Sequence, residues 1–419
     1  VYFSDKIVIM KILGIESSCD ETAAAVVEDG RRLLSNVINS QIDIHAEYGG
    51  VVPEIAARSH LEVVNPVINK ALADGGWTRD DIDPIAVTYA PGLIGSLLVG
   101  SLAARTLAII HNKSLYKIHH VEAHVYANFV TEDRVQNAGD RRLSMPKNQP
   151  NFPLLALIVS GGHSQLAYFT EHGRFELIGQ TQDDAVGEAF DKVAKILGLP
   201  YPGGPSIAKA AEHGDPTKYD LPIAQLKCTH RGAHTGMKRK AQPSNGQSRT
   251  TPYGEGVAQA ATQRFAQEVC HYYDFSFSGL KTAVLRAVQR EVGKDFSFPS
   301  HELPGLVNDE LRHNMAASFQ YTAIRTLVQK TKLAYDALSP ASVVIAGGVA
   351  ANQELRRQLA EALPTPIEYA PIQLCTDNAA MIAALGYYRA QIDAPVDPLD
   401  VEVQPSLSML ATSVTGVAV

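Results

Sequence analysis

Cysteine is scarce in this chain and badly spaced for structural work. Four residues, Cys19, Cys228, Cys270 and Cys375, are scattered with no CxxC pair, which excludes a zinc ribbon and a disulfide framework and fits a reducing compartment. No run of eighteen apolar residues occurs, so the sequence offers no membrane-spanning stretch by that criterion. The first ten residues lack the arginine-rich amphipathic character of a transit peptide, and Met10, followed by Lys-Ile-Leu-Gly, reads as a start with the preceding residues as an extension. Positive charge is in deficit: 37 Lys and Arg stand against 44 Asp and Glu, a net charge of −7, so the whole molecule is not drawn to polyanions. Any such contact must come from a local patch or a partner subunit. The Walker spacing of a general phosphate loop is absent too, since Phe275-Ser276-Phe277-Ser278-Gly279-Leu280-Lys281-Thr282 does not supply it.

What is present is enough material for two lobes. At 419 residues, 45% hydrophobic and 19% charged, the chain exceeds one ordinary core and has a globular balance. A weak internal repeat organises it. Ile12 to Ile15 reads as a strand, followed by the polar turn Glu16 to Thr22, a strand from Ala23 to Val27, a turn at Asp29-Gly30 and a strand from Leu33 to Gln41. Leu154 to Val159 begins the same series again, with a turn at Ser160 to Ser164, a strand from Gln165 to Thr170, a turn at His172-Gly173 and a strand from Phe175 to Thr181.

Helices are expected over Pro53 to Ala73, Leu93 to Ile110, from near His120, over Ala185 to Leu197, Leu306 to Leu338, Gln353 to Leu363 and Asn378 to Arg389. In the first of these, Ile55, Leu61, Val64, Ile68 and Leu72 form the expected inner face. Strands at Ile85 to Tyr89, Leu115 to Ile118, Val343 to Ala346 and Ile367 to Tyr369 separate the helices. The fold class is therefore α/β: two duplicated lobes of mixed sheet covered by helices, with a ligand cleft between the copies. The expected boundaries are 11–130 for the N-terminal lobe, 151–391 for the C-terminal lobe and 392–419 for a tail. An insertion at 227–264 breaks the second lobe. Its portion from Lys227 to Thr250 holds six Lys or Arg and no acid, and reads as a flexible loop, either solvated or in contact with RNA phosphates.

His120 and His124 stand four residues apart, so on a helix they share one face about 6 Å apart, suited to a metal. Glu122 points away at that spacing, which separates the pattern from the HExxH of metalloproteases. Asp377, at a strand-to-helix turn, is the candidate third ligand. Two histidines and a carboxylate with open positions suit Fe²⁺, with Zn²⁺ as the alternative. Ser160-Gly161-Gly162 ends an apolar strand and lets backbone N–H groups approach an anion; a plain hairpin turn would use the same residues. Ala346 to Asn352 presents backbone to a flat ligand such as adenosine, with Asn352 either bonding it or capping the next helix. Pro202-Gly203-Gly204-Pro205 reads as a rigid turn able to close over a ribose. Asp191 is either a ribose ligand or one of the surface charges of its helix, where Glu188 and Lys195 lie on nearby faces. Lys281 is placed to face the cleft.

These residues, taken in order, closely resemble the universal tRNA threonylcarbamoyladenosine transferase family, in its bacterial and organellar type, once described as O-sialoglycoprotein endopeptidase. The matching motifs are Ile15 to Thr22, Tyr48 to Glu54, His120 to His124, Val159 to His163, Gly187 to Lys192, Tyr201 to Pro205, Phe275 to Thr282, Ala346 to Asn352 and Cys375 to Asn378. The resemblance runs from about Lys11 to about Arg389, interrupted by the basic insertion. It implies an actin-like, sugar-kinase-like ATPase fold. It implies transfer of the threonylcarbamoyl group from its adenylate to N6 of the adenosine 3′ of the anticodon, in tRNAs that read ANN codons, with release of AMP. It implies His120, His124 and Asp377 as metal ligands, and Ile158, Val159, Ser160, Gly161, Gly162, Asp191, Gly204 and Asn352 as adenylate-binding residues. Ala208 stands where members often carry an Asp that touches the substrate, and the basic insertion replaces a short Pro-rich segment. Asp20 and Glu21 are placed to orient the amine, but no general base is assigned. The implied partners are tRNA, an inactive paralogue and a small ATPase, in the cytoplasm and without a membrane. A glycoprotein metalloprotease would need a base at the metal that Glu122 does not offer. A small-molecule kinase of the same fold would need acids where this site has histidines, and a non-enzymatic scaffold paralogue would not need the intact ligand set.

Overall fold

The computed structural model describes residues 9–133, 143, 145–224 and 272–413. The basic insertion at 227–264, with Cys228 and Cys270, lies outside them. Eleven strands are described: β1 (Lys11–Glu16), β2 (Glu21–Glu28), β3 (Arg32–Ser40), β4 (Ile85–Ala90), β5 (Leu115–His119), β6 (Glu132–Asp133), β7 (Leu154–Val159), β8 (Ser164–Glu171), β9 (Arg174–Gln180), β10 (Ser342–Ala346) and β11 (Ile367–Tyr369). The main helices are α1 (Pro53–Gly75), α2 (Ile94–His111), α3 (His120–Tyr126), α4 (Val186–Leu197), α5 (Gly203–Ala211), α6 (Ser278–Glu291), α7 (Asp309–Leu338), α8 (Gln353–Ala362) and α9 (Ala379–Ile392).

The first sheet has the order β5-β4-β1-β2-β3-β6 and the second β11-β10-β7-β8-β9. In both, the first three strands form an antiparallel meander and the next two add in parallel to the first strand. Apart from the two-residue β6, one sheet repeats the other strand for strand, so the duplication expected from the turns is real. The central strands explain themselves: all six residues of β7 are buried, as befits a strand covered on both faces. The turn at Asp29-Gly30 takes positive φ at both positions, the geometry a tight hairpin demands.

The two lobes share a core. One cluster of buried residues contains Ile12 and Ala86 of the first sheet, Leu155 and Val344 of the second, and a run of α9 from Ala379 to Leu385. Helix α9 is buried on nearly all sides and seats directly on the first sheet: a Cβ at Gly14 would lie 2.3 Å from the Ala379 carbonyl oxygen. A second cluster, under α1 and α2, covers the other face of that sheet.

Three details differ from the sequence reading. Leu61 is 65% exposed, because α1 turns His60, Val64, Ile68 and Leu72 inward instead. His60 belongs there because its ring bonds Thr22 Oγ1 at 2.7 Å and the Cys19 carbonyl at 2.9 Å. The long helix α7 begins at Asp309 rather than Leu306, where the Asn308 side chain accepts from the Leu311 amide and sets the start. Gly203-Gly204-Pro205 is the first turn of α5 rather than a free turn.

Beyond α9 the chain returns across both lobes. Val396 bonds the Leu115 carbonyl, Gln404 the Tyr89 carbonyl, and the Ser413 hydroxyl the Phe175 carbonyl of the second sheet.

Candidate functional site

Helices α3 and α9 begin close together: His120 opens α3 with His124 one turn on, and Asp377 stands just before Asn378, the N-cap of α9. Nε2 of His120 lies 3.5 Å and Nε2 of His124 3.4 Å from Asp377 Oδ1. The three offer ligand atoms within 4.8 Å of one another, so the pair read from spacing and the acid read from its turn come together. His124 is 2% exposed, and neither of its ring nitrogens makes a hydrogen bond among the described residues. Asp377 faces Nε2 at 3.4 Å and Nδ1 has no partner among the described residues; a buried imidazole so sparsely satisfied is costly unless something else coordinates it.

His120 is oriented from behind. Its Nδ1 is 3.1 Å from Glu16 Oε2, and Glu16, fully buried at the end of β1, also accepts from the Ser18 amide and the Thr88 hydroxyl, each at 2.5 Å. Nδ1 therefore donates to Glu16, and Nε2 is the ring nitrogen that faces Asp377. Burial works against charge on His120, but Asp377 and Glu16 outweigh it and hold the ring's pKa up at about 9. Burial also opposes ionisation of Asp377, and the charges of His120 and His124 overcome it, holding that carboxyl well below its usual range. A cation taking this site would displace the proton on His120.

Glu122 does point away, as the spacing required. It is fully buried and held by Arg389 Nη2 at 2.7 and 2.9 Å and by the Thr412 hydroxyl, so it locks α3 to α9 and the returning chain. Glu21 lies within reach of the group's charge: burial first, then the charges of Asp377 and Asp20, push its carboxyl up to about 10. Asp20 lies in the turn between two strands, so it caps no helix.

The glycine turn follows β7, with the Ser160 amide bonding the His163 carbonyl at 2.8 Å. Its neighbours are close: the Glu188 amide bonds the Gly161 carbonyl, and the Gly203 amide bonds Asp191 Oδ1 at 2.7 Å. Gly347 has φ of +88° and a Cβ there would lie 2.4 Å from the Val159 carbonyl, so this glycine is required for β10 to end beside β7. Gly161, Gly162 and Gly204 differ. None has positive φ, and a Cβ on any of them would meet nothing within 4 Å. The fold does not need glycine there; bare backbone facing open space suits a ligand pressed against it. Ile158 and Val159 are fully buried in β7, so their side chains are core and only their backbone is near the turn. Asn352 caps α8 through the Leu355 amide and donates to Gln320 Oε1.

Glu188 pairs with Lys192 rather than Lys195, and Lys192 and Lys281 both bond Asp184, so Lys281 is engaged in an ion pair. Tyr201 lies among acids of both lobes: burial, then Asp20, Asp191, Cys19 and Glu21, raise its hydroxyl well above the ordinary range and keep it neutral. Glu16 as the partner of His120 was not read from the sequence, although an ionisable residue closing the apolar run Ile12 to Ile15 was the available signal. His163 was not read as a site residue either; burial and the nearby His120 and His124 lower its pKa to about 4.

A duplicated α/β fold that brings a His-His-Asp group together where two helices begin has the layout of a two-lobed enzyme. The family profile described as tRNA N6-adenosine threonylcarbamoyltransferase matches residues 32–384. The protein of that name from Symbiobacterium thermophilum is 46% identical over 95% of this chain and 96% of its own length. The one from Thermomicrobium roseum is 44% identical over 96% and 97%. Among solved structures, the ROK hexokinase from Thermus thermophilus is 15% identical, covering 92% of this chain and all of that one, with a TM-score of 0.36. The chain belongs to the tRNA N6-adenosine threonylcarbamoyltransferase family. It is a tRNA-modifying acyltransferase that places a threonylcarbamoyl group on N6 of adenosine.

Proposed function

We propose that transfer takes place where α3 and α9 begin, with His120, His124 and Asp377 holding a divalent metal and the glycine turn holding the donor. The carrying observation is the convergence of those three side chains, with a buried His124 whose Nε2 faces Asp377 and whose Nδ1 has no partner among the described residues. Two imidazoles and one carboxylate with room for further ligands favour Fe²⁺, with Zn²⁺ as the alternative ion. Such an ion supplies Lewis acidity to a carbonyl or phosphoryl oxygen when bound.

The protein's own residues do the rest by position. The donor, threonylcarbamoyl-adenylate, is a mixed anhydride and already carries its leaving group, so no covalent nucleophile is needed. In the transfer the adenosine N6 bonds to the carbonyl carbon, the bond from that carbon to the phosphate oxygen breaks, AMP leaves with the electron pair, and the amine proton passes to solvent. Ser160, Gly161 and Gly162, with the backbone of Ile158 and Val159, cradle the adenylate phosphate; Gly204 and Asp191 take the ribose and Asn352 the adenine side. The bare glycines with open space in front support this reading. Glu21, beside Asp377, is placed to orient the incoming amine.

Helper subunits, an inactive paralogue and a small ATPase, fit a chain with an uncovered apolar stripe. Ile94, Leu98, Leu102 and Ile109 of α2 are exposed along one side, next to Leu61 of α1. Helix α2 is also long and apolar enough to cross a membrane, yet it packs on α1 and β4. Its uncovered stripe supports a protein partner, and the tRNA substrate supports a cytoplasmic site of action.

The test is nucleoside mass spectrometry of tRNA incubated with threonine, bicarbonate, ATP, an adenylate-forming synthase and this chain with its helpers. The parent yields threonylcarbamoyladenosine, and His124→Ala, folded but stripped of metal, does not. Full activity of a metal-free preparation refutes the metal site.

A further inference from the structure

A cavity of about 430 Å³ opens beside the start of α3, and neither the metal group nor the donor cleft accounts for it. Its walls include His119, His163, Gln165 and Gln180, and the returning chain at Ser406 and Leu407 closes it. It shares a wall with the metal group, since His119 precedes His120 and His163 feels the charges of His120, His124 and Asp377.

Its chemistry is specific. No Lys, Arg, Asp or Glu lines it, so it is no place for a phosphate or a carboxylate. Two residues of its wall carry buried acceptors with no partner among the described residues. His119, 2% exposed, uses Nε2 to donate to the Leu407 carbonyl at 3.0 Å, which leaves a lone pair on Nδ1; that atom is unpartnered, as is Gln165 Oε1. Each costs about 1–3 kcal/mol unless a donor arrives. Val121 and Met409 add apolar surface. A neutral, flat group with N–H donors and ring acceptors fits this description, and the size falls within the range of pockets for ligands of base or nucleoside dimensions.

We propose that this cavity receives the target adenine of the tRNA, turned out of the anticodon loop, with Gln165 and Gln180 reading its edge and Ser406–Leu407 closing over one face. The proposal rests on the transfer reading and assigns the acceptor its place in that site. A glutamine amide is the usual partner of adenine N6 and N7, and a base swung out of its stack is the usual way a protein reaches an exocyclic amine. The anionic donor is left to the glycine turn.

The test uses the full chain with its helper subunits and two variants, Gln165→Leu, which removes an acceptor, and Ser406→Phe, which fills the cavity. Transfer is measured against tRNA concentration, adenylate affinity by calorimetry, and bound metal by elemental analysis. An anticodon stem-loop with 2-aminopurine at the target position reports unstacking by fluorescence. The expected result is a loss of about tenfold or more in kcat/KM for tRNA in both variants, with adenylate affinity and metal content unchanged. The rise in 2-aminopurine emission seen with the parent is lost in Ser406→Phe. Parental rates in both variants overturn the proposal, and so does a loss of adenylate affinity, which would put the donor's threonyl arm in the cavity. Should Ser406→Phe fail to fold, Gln165→Leu decides on the same readouts. If the parent forms no modified adenosine, the transfer reading fails, while the 2-aminopurine signal still decides whether a base enters.

Discussion

Replacing Glu16 by Gln changes one atom in a fully buried side chain, yet it unsettles three hydrogen bonds at once. Three donors converge on this carboxylate: the Ser18 amide on Oε1, and the Thr88 hydroxyl and His120 Nδ1–H on Oε2. A carboxylate accepts all three; an amide accepts on one side only. With its oxygen toward His120, the new NH₂ meets the Ser18 N–H, two donors face to face. With its NH₂ toward His120, the Thr88 hydroxyl can rotate to accept, but Nδ1 must give up its proton. The proton then sits on Nε2, the nitrogen that faces Asp377, and the lone pair a metal needs is gone. Either outcome loosens the ligand set. Loss of such an outer partner weakens metal binding by about 10- to 100-fold, or about 1.4–2.7 kcal/mol. Competition titration with a chromophoric chelator measures this directly, with circular dichroism to confirm that the variant is folded. A folded Glu16→Gln protein with parental metal affinity refutes the argument that Glu16 sets the tautomer of His120.

Gly161→Val tests the donor cleft. The position has open space and ordinary φ, so stability should move by less than about 0.5 kcal/mol, while adenylate affinity falls by about 1–3 kcal/mol; unchanged affinity by calorimetry would make the turn merely structural. His172→Phe tests acid sensitivity. His172 stacks on Tyr388 at 3.7 Å, and burial lowers its pKa from 6.5 to about 4. Its contribution is therefore complete above pH 6.5 and is lost as pH falls toward 4. Allowing for partial solvent access, the parent should lose on the order of 1 kcal/mol more than the variant between pH 7 and pH 5, read from denaturant unfolding at both values. Equal losses would show that His172 is solvated when folded.

The duplicated sheets were legible because each strand is short, apolar and bounded by a turn residue with a reason to be there, such as Asp29-Gly30. His120 and His124 were legible because a helix converts spacing into direction, and Asp377 because strand-to-helix turns face clefts. The partnership of Glu16 with His120 was not, since it spans 104 residues and exists only because β1 lies beside β4, and β4 beside β5. Leu61 misled because periodicity marks an apolar stripe without saying which arc is covered, and the neighbouring stripe on α2 is equally exposed. The cavity beside His119 depends on the returning chain, whose path follows largely from backbone bonds to Leu115 and Tyr89 that carry no side-chain signature.

Helix α9 comes from the second repeat but completes the first. Its residues Ala379 and Ala383 sit against Gly14, and Gly386 against Ala86, at distances that leave no room for a larger side chain. The two copies are thus joined like interlocked fingers rather than like beads on a string. A gene divided at the repeat boundary, near residue 150, would yield a first half with one bare apolar sheet face and a second half carrying a greasy helix with nowhere to rest. Expressed separately, each should aggregate; mixed from the unfolded state, they should find one another and rebuild the site, because the piece each lacks is held by the other.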